Sequence, residues 1–257
     1  MKEPQTSGMT DVEQPFIDHL IELRDRLIKA LVVVGVIFIG LSFWANEIYS
    51  YLAGPLTRHM PAGTQMIAIG VASPFLAPIK LTLMVAVFLA IPFVLYQAWA
   101  FIAPGLYQHE KRLALPLLVA SVVLFYSGMA FAYFVVFPLI FQFMVMTTPA
   151  GVAVMTDINQ YMDFVLTLFV AFGVSFQVPI ATILLVAAGI VSRQSIADKR
   201  PYAIVMAFII GAVLTPPDVI SQTLLALPIW LLFEAGLLCS RFLVPRRPDD
   251  QDDPVQV

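Results

Sequence analysis

AFIAPGLYQHEKRL, residues 100–113, is a short polar island between two long apolar runs. It holds one carboxylate, Glu110, amid His109, Lys111 and Arg112. Read as a loop between two membrane-crossing helices, it decides the fold, because the flanking runs become spans and the charges gather on one face of a bilayer. A second segment, DHLIELRDRLIK at 18–29, mixes acids and bases in the same way.

Composition supports that reading. Of 257 residues, 60% are hydrophobic and 12% charged, where a soluble domain carries about 25% charged residues. The net charge of −3 says little, because the charges sit in a few places. Residues 244–257, with Asp249, Asp250, Asp252 and Asp253 among prolines, read as a disordered acidic tail, and residues 1–15 as a disordered N-terminal one. The latter lacks the apolar core of a cleavable signal peptide, so the chain is expected to insert through its own first span. Cys239 is the single cysteine, which excludes an intrachain disulfide and a Cys-rich metal site. No basic tract interleaved with aromatics points to nucleic acid.

An all-α polytopic domain is predicted over 16–243, with spans at about 28–45, 74–103, 113–146, 158–191, 202–214 and 219–242. Thr10 or Asp11 can cap a lead-in helix with Pro15 in its first turn, and Phe16, Leu20, Leu23 and Leu27 form its apolar stripe. The third and fourth spans, about 50 Å of helix against a core of ~30 Å, must tilt or bend, with Pro116, Pro138 and Pro179 as bending points. Between Pro201 and Pro216 the fifth has room for only about 20 Å of helix, so the last two are expected as a short hairpin turning at 215–218. Six spans put Lys2, Arg24, Arg26, Lys29, Lys111, Arg112, Arg193, Lys199, Arg200, Arg241, Arg246 and Arg247 on one side, leaving only Arg58 and Lys80 on the other. The positive-inside rule then places both termini in the cytoplasm.

No catalytic constellation emerges. His19, His59 and His109 are scattered, and no zincin, nucleophile-elbow or P-loop pattern occurs, so an enzyme is not expected. What needs explaining is polar groups at or within the membrane. Glu22 and Glu110 lie on an otherwise basic rim. Pattern alone favours local pairing, Glu22 to Arg26, Asp25 to Lys29, and Glu110 beside Lys111 and Arg112. The sharper alternative is a cation-recognition site, since carboxylates suit bidentate guanidinium contacts. Gln177, mid-way along the fourth span, must find a hydrogen bond, either within the helix packing or from a partner helix lying in a groove beside Met206. The role of Glu234 is open. Asp157 and Asp163 flank the entry to the fourth span and read as solvated, and Asp218 as an N-cap for the sixth.

Seven stretches then carry a resemblance: HLIELRDRL (19–27), VASPFLAPIKL (71–81), YQAWAFIAPGLYQHEKR (96–112), FYSGMAFAYFVVFPL (125–139), FGVSFQVP (172–179), KRPY (199–202) and LTPPDVISQ (214–222). Together they strongly resemble the TatC family of twin-arginine translocase subunits, proteobacterial members above all, over about 15–243. The resemblance implies six helices in a concave, glove-like arrangement with two short final helices, in the bacterial inner membrane. It implies a receptor for twin-arginine signal peptides that exports folded proteins, driven by the proton-motive force, alongside TatA-like and TatB-like single-span subunits and other TatC copies. Glu22 and Glu110 match the family's recognition glutamates, which tips their reading toward cation binding. Leu20, Arg24 and Phe101, with His109, Lys111 and Arg112, fall in the same two motifs, and Pro55 and Asp218 match outer functional positions. One departure stands out: the fourth-span polar position, usually glutamate in the family, is Gln177, which keeps a hydrogen-bonding group but removes titration. The competing class, a small-solute secondary transporter, would call for mid-membrane ionisable groups and an internal repeat; the sequence offers one amide, the offset Glu234 and no visible repeat.

Overall fold

The computed structural model describes residues 10–50, 66–102, 114–147, 156–214 and 219–243. The tails and the outer positions Pro55 and Asp218 lie outside these, as does the 103–113 loop with Glu110. Besides a helical stretch at 45–50, the described residues hold nine α-helices. Helix α1 runs Thr10–Ser42 without a break, so the amphipathic lead-in and the first span are one rod. Asp25, Arg26 and Lys29 reach well into it, leaving Ala30–Ser42 uncharged. The chain turns at Phe43 and Trp44 into a helical stretch over 45–50. Helix α2, Ser73–Ile102, coincides with the expected second span.

The third span is divided. Helix α3, Ala114–Phe131, passes through a π-helical turn, Ala132–Val136, into α4, Phe137–Thr147. The Phe137 N–H reaches back five residues to the Ala132 carbonyl. The cause sits one residue on: Pro138 has no N–H, and its ring would crowd a carbonyl four residues back, so a widened turn relieves both. The fourth span is divided too, into α5, Ile158–Ser175, and α6, Val178–Ala187, with Pro179 in the first turn of α6. Its end comes at Gly189, whose φ of 69° is the left-handed geometry that closes a helix. A six-residue helix α7, Arg193–Asp198, capped by Ser192, replaces the loop expected there. Helix α8, Arg200–Leu214, is short as predicted, but α9, Val219–Leu243, is not. Pro228 does not stop α9, so only one arm of the final hairpin is short.

Among the described residues, four helices are long and apolar enough to cross a membrane, over Ser73–Phe101, Leu115–Ile140, Ile158–Ala187 and Gln222–Phe242, with Arg200–Val213 a shorter apolar helix. The chain is a multi-pass, helical membrane protein. Its largest core joins α2, the α3–α4 rod and α5 through Leu81, Val136, Phe137, Ile140, Met162, Val165 and Phe172. Gly128 lets α3 approach so closely that a Cβ there would stand 2.5 Å from the Phe172 carbonyl oxygen. Small residues at such crossings are how helices pack where lipid supplies no hydrophobic drive. A second core gathers Trp99, Leu117, Ile180, Ile183, Val186 and Ile196 toward the end where α2 stops and α8 starts. Helix α1 packs along α2, with Leu31, Val36 and Ile39 left exposed for lipid.

At the opposite end, strands β1 (Met66–Ile67) and β2 (Thr156–Asp157) pair in parallel, Met66 with Thr156 and Ile67 with Asp157. Here the expectation of two solvated aspartates holds for Asp163, which is exposed, and fails for Asp157. Asp157 is buried: its Oδ2 accepts the Ile69 N–H at 2.9 Å, and its Oδ1 the N–H groups of Asn159 (2.9 Å) and Gln160 (3.1 Å), capping α5. Asp163 takes the Lys80 ammonium on both oxygens at 3.0 Å, tying α5 to α2.

Candidate functional site

Where α1 meets the last turns of α2, several sequence-selected side chains come together. The rings of His19 and Phe101 stack with centroids 4.2 Å apart at 20°. One turn along, the Glu22 carboxylate is engaged by Arg26: Nε (2.9 Å) and Nη2 both donate to Oε1. The third arm of that guanidinium, Nη1, donates to Oε1 of Gln97 on α2 at 3.3 Å. Arg26 is 23% exposed and Glu22 38%, so this is a partly sheltered pair on the helix–helix seam. Leu20 is exposed beside it. Arg24 turns away, its Nε and Nη2 donating to Asp25 Oδ1 at 3.0 and 2.8 Å.

The expected local pair Glu22–Arg26 is therefore present, whereas Asp25 pairs with Arg24 and not with Lys29. Adjacent side chains reached each other because both point to open solvent, at 66% and 50% exposure. His109, Glu110, Lys111 and Arg112 lie outside the described residues, so the structure supplies the α1–α2 half of the site. Pattern reading missed Gln97. The signal was there: an amide within YQAW at the end of an otherwise apolar span needs a partner.

Further along, Gln177 stands at the α5–α6 break, where Pro179 interrupts the ladder, and its Nε2 donates to the Ser121 carbonyl of α3 at 2.9 Å. Ser121 is itself buried, and its hydroxyl accepts from Trp99 Nε1 at 3.1 Å. The Gln177 amide thus serves packing among α2, α3 and α5. Met206 is exposed on α8, a helix that this hydrogen bond does not reach. Glu234, whose role the sequence left open, holds Arg200 in a fork, Nε on Oε1 at 2.7 Å and Nη2 on Oε2 at 3.1 Å. This joins the start of α8 to α9. Among the described residues no group of His, Cys, Asp and Glu is placed to hold a metal ion.

Comparison with known proteins adds an independent line. The family model described as Sec-independent protein translocase protein (TatC) matches residues 18–228. The Sec-independent protein translocase protein TatC of Azotobacter chroococcum mcd 1 is 58% identical over 248 residues, 96% of this chain and 97% of the relative. That of Escherichia coli (strain K12) is 58% identical over 231 residues, 90% of each. Among solved structures, the crystal structure of the twin-arginine translocase receptor TatC is similar, with TM-score 0.74 and 37% identity over 87% of this chain and 98% of that one.

Proposed function

This chain belongs to the TatC family of Sec-independent, twin-arginine protein translocase subunits, and we propose that it is the membrane receptor for signal peptides bearing paired arginines. It is a transport subunit and not an enzyme. The solute-transporter reading is not favoured. One observation on this chain carries the receptor reading: Glu22, at the α1–α2 end, already holds a guanidinium, that of Arg26. A carboxylate in this setting is chemically suited to the planar fork of an arginine, which an ammonium cannot reproduce.

In this reading Glu22 and Glu110 each take one guanidinium of the signal peptide. Leu20, Arg24, Phe101, His109, Lys111 and Arg112 shape the surrounding surface. The membrane is the bacterial inner membrane, crossed six times in a concave arrangement with both termini cytoplasmic. The 12-to-2 partition of Lys and Arg in the sequence supports that orientation. Single-span TatA-like and TatB-like subunits and further copies of the chain complete the translocase, which the proton-motive force drives. Gln177 and Met206 are proposed to contact a partner span, and Pro55 and Asp218 to act on the outer face. Cysteines at 177 or 206 should crosslink to a partner helix; silence at both would remove that contact. The test of the receptor is binding of a twin-Arg peptide and its twin-Lys counterpart to the protein in nanodiscs. Strong preference for Arg, lost in Glu22→Ala and Glu110→Ala, is the expected result. Equal binding of both peptides would overturn it.

A further inference from the structure

We infer that Arg26 is an internal ligand of the recognition carboxylate, occupying Glu22 in the empty receptor and leaving when a signal-peptide arginine arrives. The inference rests on the receptor reading of Glu22 and concerns how that site is regulated. Three features of the structure carry it. Both donors of the Arg26 fork converge on the single oxygen Oε1 of Glu22, so the carboxylate is not in the side-on, two-oxygen arrangement that guanidinium recognition favours. The Glu22–Arg26 bonds lie within one helix, four residues apart, so the carboxylate is held from within α1, and the link to α2 runs through Arg26 Nη1. And Gln97, buried on α2, accepts from Nη1, which fixes the Arg26 side chain against the carboxylate.

The consequence is competition. A peptide guanidinium arriving at Glu22 with Arg26 in place would set two cations against one carboxylate, so binding requires Arg26 to let go. Apparent affinity then falls by the fraction of receptors in which Glu22 is free. The penalty is the same for any cation, so the preference for Arg over Lys remains with the carboxylate and Arg26 sets the overall strength. A receptor that must release its cargo peptide gains a built-in means of displacing it.

The test measures affinity of a labelled twin-Arg signal peptide, and of its twin-Lys counterpart, for the full chain in nanodiscs. Arg26→Gln should bind both peptides about two- to fivefold more tightly, the scale of a net ion pair of this exposure. Arg26→Lys decides between competition and simple charge. It keeps the cation but loses the fork, so it should bind about twofold more tightly at unchanged net charge. Lys29→Gln, on an exposed side chain one turn away, measures the long-range effect of removing a charge and should do less than Arg26→Gln. No gain in either Arg26 variant, or a gain in Arg26→Gln that Lys29→Gln matches and Arg26→Lys lacks, would overturn the inference. Glu22→Gln keeps the two ideas separable: loss of Arg preference there with unchanged Arg26 variants leaves the receptor standing without its internal ligand. Arg preference undiminished in Glu22→Gln would fell the receptor reading itself.

Discussion

Two Glu–Arg pairs stand at the same end of this protein and are built differently. Arg200 meets Glu234 across 34 residues of chain, one nitrogen on each carboxylate oxygen, and locks the short helix α8 to α9. Arg26 meets Glu22 across a single helical turn, two nitrogens on one oxygen. The first closes a hairpin that is otherwise held by a small core of Ala207, Ala226 and Ile229. In the second the carboxylate is held from within α1, and the link to α2 runs from Arg26 to Gln97. Identical residue types thus serve architecture in one place and leave a carboxylate open to exchange in the other. Removing each should have opposite signatures.

The largest effect is expected at the exchangeable site. Charge reversal, Glu110→Lys, should abolish twin-Arg peptide binding, and Glu22→Gln should weaken it by about tenfold, the scale of a charge-assisted fork. Both variants should keep the wild-type melting temperature in detergent. A fall in melting temperature in proportion to lost binding would mean these glutamates are structural after all.

Next comes the architectural pair. Glu234→Gln should cost about 1 kcal/mol of stability, a figure kept low because Arg200 is half exposed and water screens it. Peptide binding should be untouched, since among the described residues neither α8 nor α9 contributes a side chain to the α1–α2 site. If Glu234→Gln instead shifts peptide affinity and leaves the melt alone, the roles of the two pairs are reversed. A smaller loss, about 0.5 kcal/mol, is expected for Lys80→Met, which breaks the exposed tie between α2 and α5. Differential scanning calorimetry of the two variants side by side would rank them.

The contrast also explains what the sequence could and could not convey. Glu22–Arg26 was legible because it is local: helical spacing alone puts the two on one face. Arg200–Glu234 and Lys80–Asp163 were not, because each depends on which helices pack and in what register, and hydropathy is silent on both. Helix bounds were legible for α2 and α8, where apolar runs end at proline or at charge. The interruptions inside spans were partly foreseen, as bending at Pro138 and Pro179. Their forms, a π-turn and a helix break, depend on which neighbours take up the freed backbone groups. The bounds of α9 were legible, but it was grouped with α8 as a short arm, because the room before Pro216 limits α8 and not its partner. Asp157 was misread for a different reason. An aspartate before a helix is ordinarily a solvated cap, and only the strand from Met66 to Ile67 laid over it buries this one.

That buried cap yields the smallest and most specific expectation. Hydrogen bonds from the backbone of Ile69 and then of Gln160 hold the Asp157 carboxyl below the usual carboxylate range; burial opposes them and the Asn159 N–H adds to them. A lowered value in the folded protein means that the stability linked to this group is fully present above the ordinary carboxylate pKa of about 3.9, and is lost only as pH falls through the lower, folded value. Acidification from pH 8 to 5 on that face should therefore leave the 66–69 segment docked on α5. In Asp157→Asn one oxygen remains to cap α5, but Oδ2, the acceptor of the Ile69 N–H, can become a donor facing a donor. The Ile69 amide should then exchange with deuterium faster at neutral pH, and the loss of stability below about pH 4 should shrink relative to wild type. Were wild type to lose Ile69 protection already between pH 7 and 5, with Asp157→Asn indifferent to pH, the three N–H groups would not be what fixes this charge. The end of the molecule opposite the recognition site would then itself respond to protons.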